Sequence, residues 1–291
     1  MSRTLFITDL DGTLLDNESR ISPATADMLN RAIAEGALFS IATARTPATV
    51  HEIMRPVNLN LPAIVMTGGA LWNTRTGTYS DVQYMDPATA RRVVDTYRLY
   101  DSAAFLYTVP PEKDPALGTQ KLLIYHFGEM NEYERAFMLE RLTNPFKRFD
   151  VPESGKSALP EKIEHTVLFF GIQPTEKAEK VKEKLEDIPD INPMFYHDWF
   201  GEEIAEIEAF PSGATKAKAV RRLAEKAGAD RIVVFGDNRN DISMMKAADV
   251  AVAVENALDE VKEAADSVLG PNTGDSVARF ILEELKIKGL R

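Results

Sequence analysis

Apolar residues along the chain fall into short runs separated by longer stretches with helical spacing. The first run, Thr4-Leu-Phe-Ile-Thr8, is β-branched and aromatic at strand length and predicts a strand. A proline at a first-turn position and helical spacing predict a helix over 22–35, ended by Gly36. A second strand follows over 38–42, a helix over 47–55, and a third strand over 63–67 that runs into Gly68-Gly69. Near the other end, the spacing predicts a helix over 215–227, a continuous apolar strand over 231–235, one more helix, and a strand over 249–254. Strands that are apolar throughout and alternate with helices predict an α/β fold whose parallel sheet is covered on both faces. In such a sheet, ligands bind beyond the carboxyl ends of the strands.

Between these segments, residues 86–199 do not continue the pattern cleanly and read as an insertion. Its expected elements are a helix over 87–100, strands over 103–109, 121–127 and 166–172, and charged helices over 131–142 and 175–185. These make a small α/β domain inserted into a core of residues 1–85 and 200–291, with linkers near 84–87 and 197–201.

The polar residues at the predicted strand ends carry the chemistry. The first strand ends in Asp9-Leu-Asp11-Gly12, two carboxylates two residues apart with a glycine directly after them, an arrangement suited to a metal and a phosphate. A calcium loop opened by Asp9 would need glycine at its sixth position and glutamate at its twelfth, where Leu14 and Arg20 stand. The second strand runs into Thr43-Ala44-Arg45, and the strand over 231–235 into Gly236-Asp237-Asn-Arg-Asn240-Asp241. Lys216 enters from the start of a neighbouring helix. Phosphoryl transfer needs a nucleophile, an oxygen-ligated magnesium, and donors that hold the phosphoryl oxygens as charge redistributes. Each role has a candidate here.

Composition narrows the class. A chain of 291 residues, 44% hydrophobic and 27% charged, is long enough for two folded domains. It has no cysteine, which excludes disulfides and thiolate metal sites and makes a reducing cytoplasm the expected location. The start of the chain leads directly into a strand, and no run approaches the roughly 18 apolar residues of a membrane span. A formal charge of -11 opposes general nucleic-acid binding, so an anionic substrate requires a locally positive pocket.

Four ordered motifs, Asp9-Leu-Asp-Gly-Thr-Leu-Leu-Asp16, Ala42-Thr-Ala-Arg45, Thr215-Lys216 and Gly236-Asp-Asn-Arg-Asn-Asp241, resemble those of the haloacid dehalogenase superfamily, in its Cof-like sugar-phosphatase branch. Glu255-Asn256-Ala257 and Asn272-Thr-Gly-Asp-Ser-Val277 resemble a later signature of that branch. The resemblance implies a Rossmann-like core with an inserted α/β cap that closes over the site and selects the leaving group. It also implies a magnesium-dependent phosphatase acting on a small phosphorylated metabolite, a sugar phosphate, through an aspartyl-phosphate.

By the same resemblance Asp9 is the nucleophile and Asp11 the general acid and then base. Magnesium is held by Asp9, the Asp11 carbonyl and Asp237, with Asp241 behind them. Thr43, Lys216 and Asn240 bind the phosphate. Arg45 is expected either to contact substrate or to form a salt bridge, and Lys147, Arg148, His197 and Trp199 are the cap residues suited to a sugar. The chain departs from the family pattern at Ala44 and Ala217, where glycine is usual, and at Gly68, where the branch often has asparagine. A phosphomutase of the same superfamily is the alternative reading. A phospho-receiver is a more distant one, because receivers lack the large insertion.

Overall fold

The computed structural model describes residues 3–115, 118–152, 159, 163–197 and 201–287. Contacts divide the chain into two compact units, Met1–Thr76 with Ala214–Arg291, and Gly77–Gly213.

In the first unit, β1 (Thr4–Thr8) is buried along its whole length. Helix α1 (Pro23–Ala34) starts at Ser22, whose side chain accepts the Thr25 N–H, with proline in its first turn. It leads to β2 (Leu38–Ile41), then α2 (Pro47–Met54), β3 (Ala63–Val65) and β4 (Ala70–Asn73). The third predicted strand is shorter than its apolar run. It stops at Val65, and Met66–Gly68 form a 3-10 turn in which Met66, Thr67 and Gly68 all have positive φ. Gly68 and Gly69 allow the reversal, and the Gly69 N–H donates to Met66 O at 2.8 Å. β3 therefore pairs antiparallel with β4 and meets the main sheet only through the bridge between Ile64 and Ala42.

The second unit contains β5 (Thr78–Ser80), α3 (Pro87–Leu99), β6 (Ala104–Thr108), β7 (Leu122–Phe127), α4 (Glu132–Leu139), β8 (Lys147–Phe149), β9 (Thr166–Pro174), α5 (Thr175–Glu186), β10 (Ile191–Tyr196) and β11 (Ile204–Pro211). Six of these strands form a sheet in the order β10-β11-β9-β6-β7-β8, antiparallel except for the β7–β8 pair. Tyr97, Val93, Val181 and Leu185 from α3 and α5 pack on the face of this sheet that carries Leu106, Phe169 and Ile207. The sequence-based bounds of 86 and 199 fall inside this unit, because β11 pairs with both β10 and β9 and carries the sheet on to Pro211. Part of the linker expected near 197–201 lies outside the described residues.

The chain then completes the first unit with α6 (Lys216–Ala227), β12 (Arg231–Gly236), α7 (Arg239–Met245), β13 (Val250–Ala253), α8 (Asp259–Glu263), β14 (Ser267–Val268) and α9 (Ser276–Ile287). The main sheet is five-stranded and parallel, in the order β14-β13-β12-β1-β2. The fold is thus an α/β parallel-sheet core with an inserted α/β domain. With β1 between β12 and β2, the segments after Gly236, Thr8 and Ile41 leave the sheet side by side at its carboxyl edge. Among the described residues, no helix is long and apolar enough to cross a membrane.

Candidate active site

Strand register brings the first two carboxylates together. Thr8 is paired with Phe235, so Asp9 follows β1 directly and Asp237 follows β12, and the Asp9 N–H donates to Phe235 O at 3.0 Å. Lys216 is the first residue of α6, whose N-cap Thr215 accepts the Lys218 N–H. The lysine is only 1% exposed. Its ammonium donates to Asp9 Oδ1 at 2.5 Å and to Asp241 Oδ1 at 2.7 Å. A charge so deeply buried persists only when paired, and here two carboxylates pair with it.

Each remaining carboxylate has a distinct setting. Asp241 uses its second oxygen to accept the N–H groups of Asp237 and Asn238 at 3.0 and 3.1 Å, closing a capping box at the start of α7. Asp237 accepts the Thr13 hydroxyl at 2.7 Å on Oδ1. Its other oxygen faces Gly12, where a Cβ would lie 2.3 Å from it, and Gly12 has φ +73°. Only glycine lets the turn after Asp11 come this close to the Asp237 carboxylate.

The electrostatics follow from burial. Burial pushes Asp9 above the ordinary carboxylate range, with the Lys216 ammonium opposing and Asp241 adding to the rise. Burial also works against the charge of Lys216, yet Asp9 and Asp241 hold it protonated, above the usual lysine range. Asp237 is pushed up to about 6, chiefly by burial, with the Thr13 hydroxyl opposing and Asp241 contributing. One ammonium does not neutralise these three acids, and the cluster favours a further cation.

The donor set suits a hard divalent ion. Asp9, Asp237 and Asp241 offer oxygens that lie within 4.8 Å of one another. Both Asp241 oxygens are already engaged by Lys216 and by backbone N–H groups, which leaves Asp9 and Asp237 as the carboxylates with an oxygen to give. An all-oxygen set with few protein ligands matches magnesium, which keeps several waters.

The other expected residues occupy different surroundings. Thr43 is buried just beyond β2, its hydroxyl oxygen accepting the Arg45 N–H at 3.1 Å. Arg45 takes the salt-bridge role: Nε and Nη2 donate to the two oxygens of Asp11 at 2.7 and 2.5 Å, and Nη2 also reaches Ser19 Oγ at 3.2 Å. Asn240 is exposed on the first turn of α7, and the partners of the Lys216 ammonium are Asp9 and Asp241. In the inserted domain, Lys147 is buried with its ammonium 5.7 Å from the Tyr107 ring centre, and burial lowers it to about 8. Arg148 is exposed, and His197 stands edge-on to Phe195. Trp199 lies outside the described residues.

Sequence reasoning did not assign Thr13, the hydroxyl that holds Asp237, although it stands within the first motif. Nor did it give a role to Gly68, where the branch often has asparagine. At Gly68 φ is +95°, and a Cβ would lie 2.3 Å from Thr215 O. No side chain fits there without moving the cap of the helix that carries Lys216.

A parallel sheet with this acid–lysine cluster at its carboxyl edge defines an α/β enzyme built to handle a phosphoryl group. The description of haloacid dehalogenase-like hydrolases matches residues 6–281, and the chain belongs to that family, in its Cof-like branch. It is an enzyme, a phosphatase of this family. It is 26% identical over 309 residues to the pyridoxal phosphate phosphatase YbhA of Escherichia coli, covering 98% of this chain and 100% of that protein. It is 30% identical over 289 residues to the 5-amino-6-(5-phospho-D-ribitylamino)uracil phosphatase YwtE of Bacillus subtilis, covering 94% of this chain and 95% of that protein. Its fold is shared with a haloacid dehalogenase-like hydrolase from Bacteroides thetaiotaomicron at a TM-score of 0.72 and 22% identity, over 97% of this chain and 99% of that one.

Proposed function

We propose that the chain is a magnesium-dependent cytoplasmic phosphatase that hydrolyses a small phosphorylated metabolite of the sugar-phosphate class through a phosphorylated Asp9. The observation that carries this reading is the Lys216 ammonium, which joins Asp9 to Asp241 at 2.5 and 2.7 Å at the carboxyl edge of a parallel sheet. The lysine keeps the Asp9 carboxylate oriented and offsets the charge that an incoming phosphate brings. The two curated relatives named above, both phosphatases of small organic phosphates, support the substrate size.

In this reading an Asp9 oxygen attacks phosphorus. The bond from phosphorus to the ester oxygen breaks with its electron pair remaining on that oxygen, and Asp11 supplies the proton that releases it as an alcohol. Water then attacks phosphorus while the Asp11 carboxylate takes its proton. The bond to Asp9 breaks, and the carboxylate and inorganic phosphate are freed. Thr43 and Asn240 donate to the phosphoryl oxygens. Asp9, Asp237 and the Asp11 carbonyl would hold magnesium, which when bound neutralises charge on those oxygens.

The test is hydrolysis of p-nitrophenyl phosphate and of a panel of hexose phosphates, pyridoxal phosphate and flavin mononucleotide, with magnesium or with chelator. Activity should require magnesium and fall by roughly a thousandfold or more in Asp9→Asn. Borohydride reduction of acid-quenched enzyme should convert residue 9 to homoserine, as an acyl phosphate requires. Full activity in Asp9→Asn would sink the mechanism, and a requirement for a sugar bisphosphate would favour the mutase alternative.

A further inference from the structure

We infer that Asn256 is a positioning residue for the divalent-cation site, setting the spacing between the Asp11–Thr13 turn and Asp237. The inference rests on the magnesium reading above. Asn256 is exposed on the loop after β13, and its side-chain amide is fully used. Nδ2 donates to Gly12 O at 2.7 Å, and Oδ1 accepts the Asn272 N–H at 2.9 Å. These two bonds fix which end of the amide faces the turn.

Gly12 is the residue pressed against the Asp237 carboxylate, and Thr13, directly after it, donates to the same carboxylate at 2.7 Å. The other end of the Asn256 loop holds Asp237 itself, through the Leu258 N–H donating to Asp237 O at 3.0 Å. The loop from 256 to 258 therefore grips both halves of the proposed site, the turn that carries the Asp11 carbonyl and the strand end that carries Asp237. Asn272 backs this grip from behind: its own Nδ2 donates to Leu15 O at 2.7 Å and reaches Asn17 Oδ1 at 3.3 Å. Asn256 touches no proposed metal ligand, yet it is bonded to the backbone on which one depends. Outer residues of this kind commonly change metal affinity by about 10–100-fold.

Isothermal titration of magnesium into the substrate-free full-length protein tests the inference, with thermal unfolding measured alongside. The matched control is Asn60→Ala. Asn60 is likewise exposed and bridges two backbone groups, accepting the Phe39 N–H at 3.1 Å and donating to Ala37 O at 2.8 Å, at the amino end of β2. Asn256→Ala should raise the magnesium dissociation constant about tenfold, and Asn256→Ser, too short to reach Gly12 O, should do the same. Asn60→Ala should lower the melting temperature comparably and leave the constant unchanged. At saturating magnesium, Asn256→Ala should recover most of its kcat with an unaltered KM for p-nitrophenyl phosphate. A dissociation constant within twofold of wild type in either folded Asn256 variant, or an equal weakening in Asn60→Ala, overturns the inference and leaves the magnesium reading standing. Wild-type protein that binds no magnesium overturns the reading itself, and the inference with it.

Discussion

Arg45 grips Asp11 with a two-pronged fork, Nε on one carboxylate oxygen at 2.7 Å and Nη2 on the other at 2.5 Å. The pair is open to water, with 26% and 50% of the two side chains exposed. Exposed ion pairs contribute about 0–1 kcal/mol to stability, so the fork is thermodynamically cheap to open. Its consequence is orientation, because a planar guanidinium fixes the plane of the carboxylate it meets. Asp11 is the proposed proton carrier, and its orientation sets which oxygen meets the ester. Arg45→Ala should shift the melting temperature by no more than about 2 °C while lowering kcat about tenfold or more. Arg45→Lys, which keeps charge but not the fork, should fall between the two. Kinetics and thermal unfolding on the same preparations check this, and a variant with full kcat would assign the pair to the surface alone.

Lys216 separates stability from chemistry in a second way. It is the cation of a buried cluster with Asp9 and Asp241, and removing it strands two acids out of water. Breaking a buried pair by deleting one partner costs about 3–5 kcal/mol. Lys216→Met should therefore unfold well below wild type in urea and be inactive. Adding Asp241→Asn removes one stranded charge, and the double variant should regain part of the stability and none of the activity. Strictly additive losses in that pair would mean that the two side chains do not share a network.

The legible and illegible parts of this site have separate physical causes. Asp9 and Asp237 could be read because each ends an apolar strand, and strand ends at the carboxyl edge of a parallel sheet are where ligands collect. The Arg45–Asp11 fork was half legible: residues 34 positions apart meet through the parallel pairing of β1 with β2, but the choice between substrate and carboxylate depends on a side-chain conformation. The bond from Asn256 to Gly12 spans 244 residues and leaves no periodicity to read. The third strand was over-read because Met66 and Thr67 are apolar or β-branched, whereas Gly68-Gly69 already marked the reversal. In β11 the signal was present and went unused. Glu206 and Glu208 alternate with Ala205, Ile207 and Ala209, and the latter three pack toward α3 and α5.

Protons and magnesium should compete at Asp237. Its folded value lies near 6, against 3.8 as the ordinary value. The folded state thus holds this proton more tightly than the unfolded chain does. The stabilisation is fully present below the unfolded value and is lost as pH rises through about 6. At pH near 7.5, magnesium-free wild type carries the cost of an ionised Asp237, and Asp237→Asn does not. Because Asp237 is partly open to solvent, the difference should be modest after screening, about 1 kcal/mol. That corresponds to a melting temperature about 2–4 °C higher for the variant at pH 7.5. The gap should narrow as pH falls below about 6, and millimolar magnesium should reverse the order by stabilising wild type alone. A wild-type advantage at pH 7.5 without magnesium would contradict the assigned cause.

Gly68 and Gly36 offer a matched pair of substitutions. Both have strongly positive φ, +95° and +99°, so alanine at either position bears a similar backbone strain. At Gly36 nothing lies within 4 Å of the added methyl group, whereas at Gly68 it would sit 2.3 Å from Thr215 O. Thr215 caps α6 immediately before Lys216, and the Gly68 carbonyl accepts Arg222 Nη2 at 3.1 Å from the same helix. Gly36→Ala should cost about 1 kcal/mol, from strain alone, and leave kcat near wild type. Gly68→Ala should cost roughly 1–3 kcal/mol more, as overpacking forces backbone to shift, and should lower kcat by moving the turn that aims Lys216 at Asp9. Gly68→Asn, the residue common in the branch, tolerates positive φ better but meets the same carbonyl, so it should behave like alanine. Urea unfolding and steady-state kinetics of the three variants measure the difference. Equal costs at positions 36 and 68 would show that the 66–68 turn yields freely and does not brace the lysine.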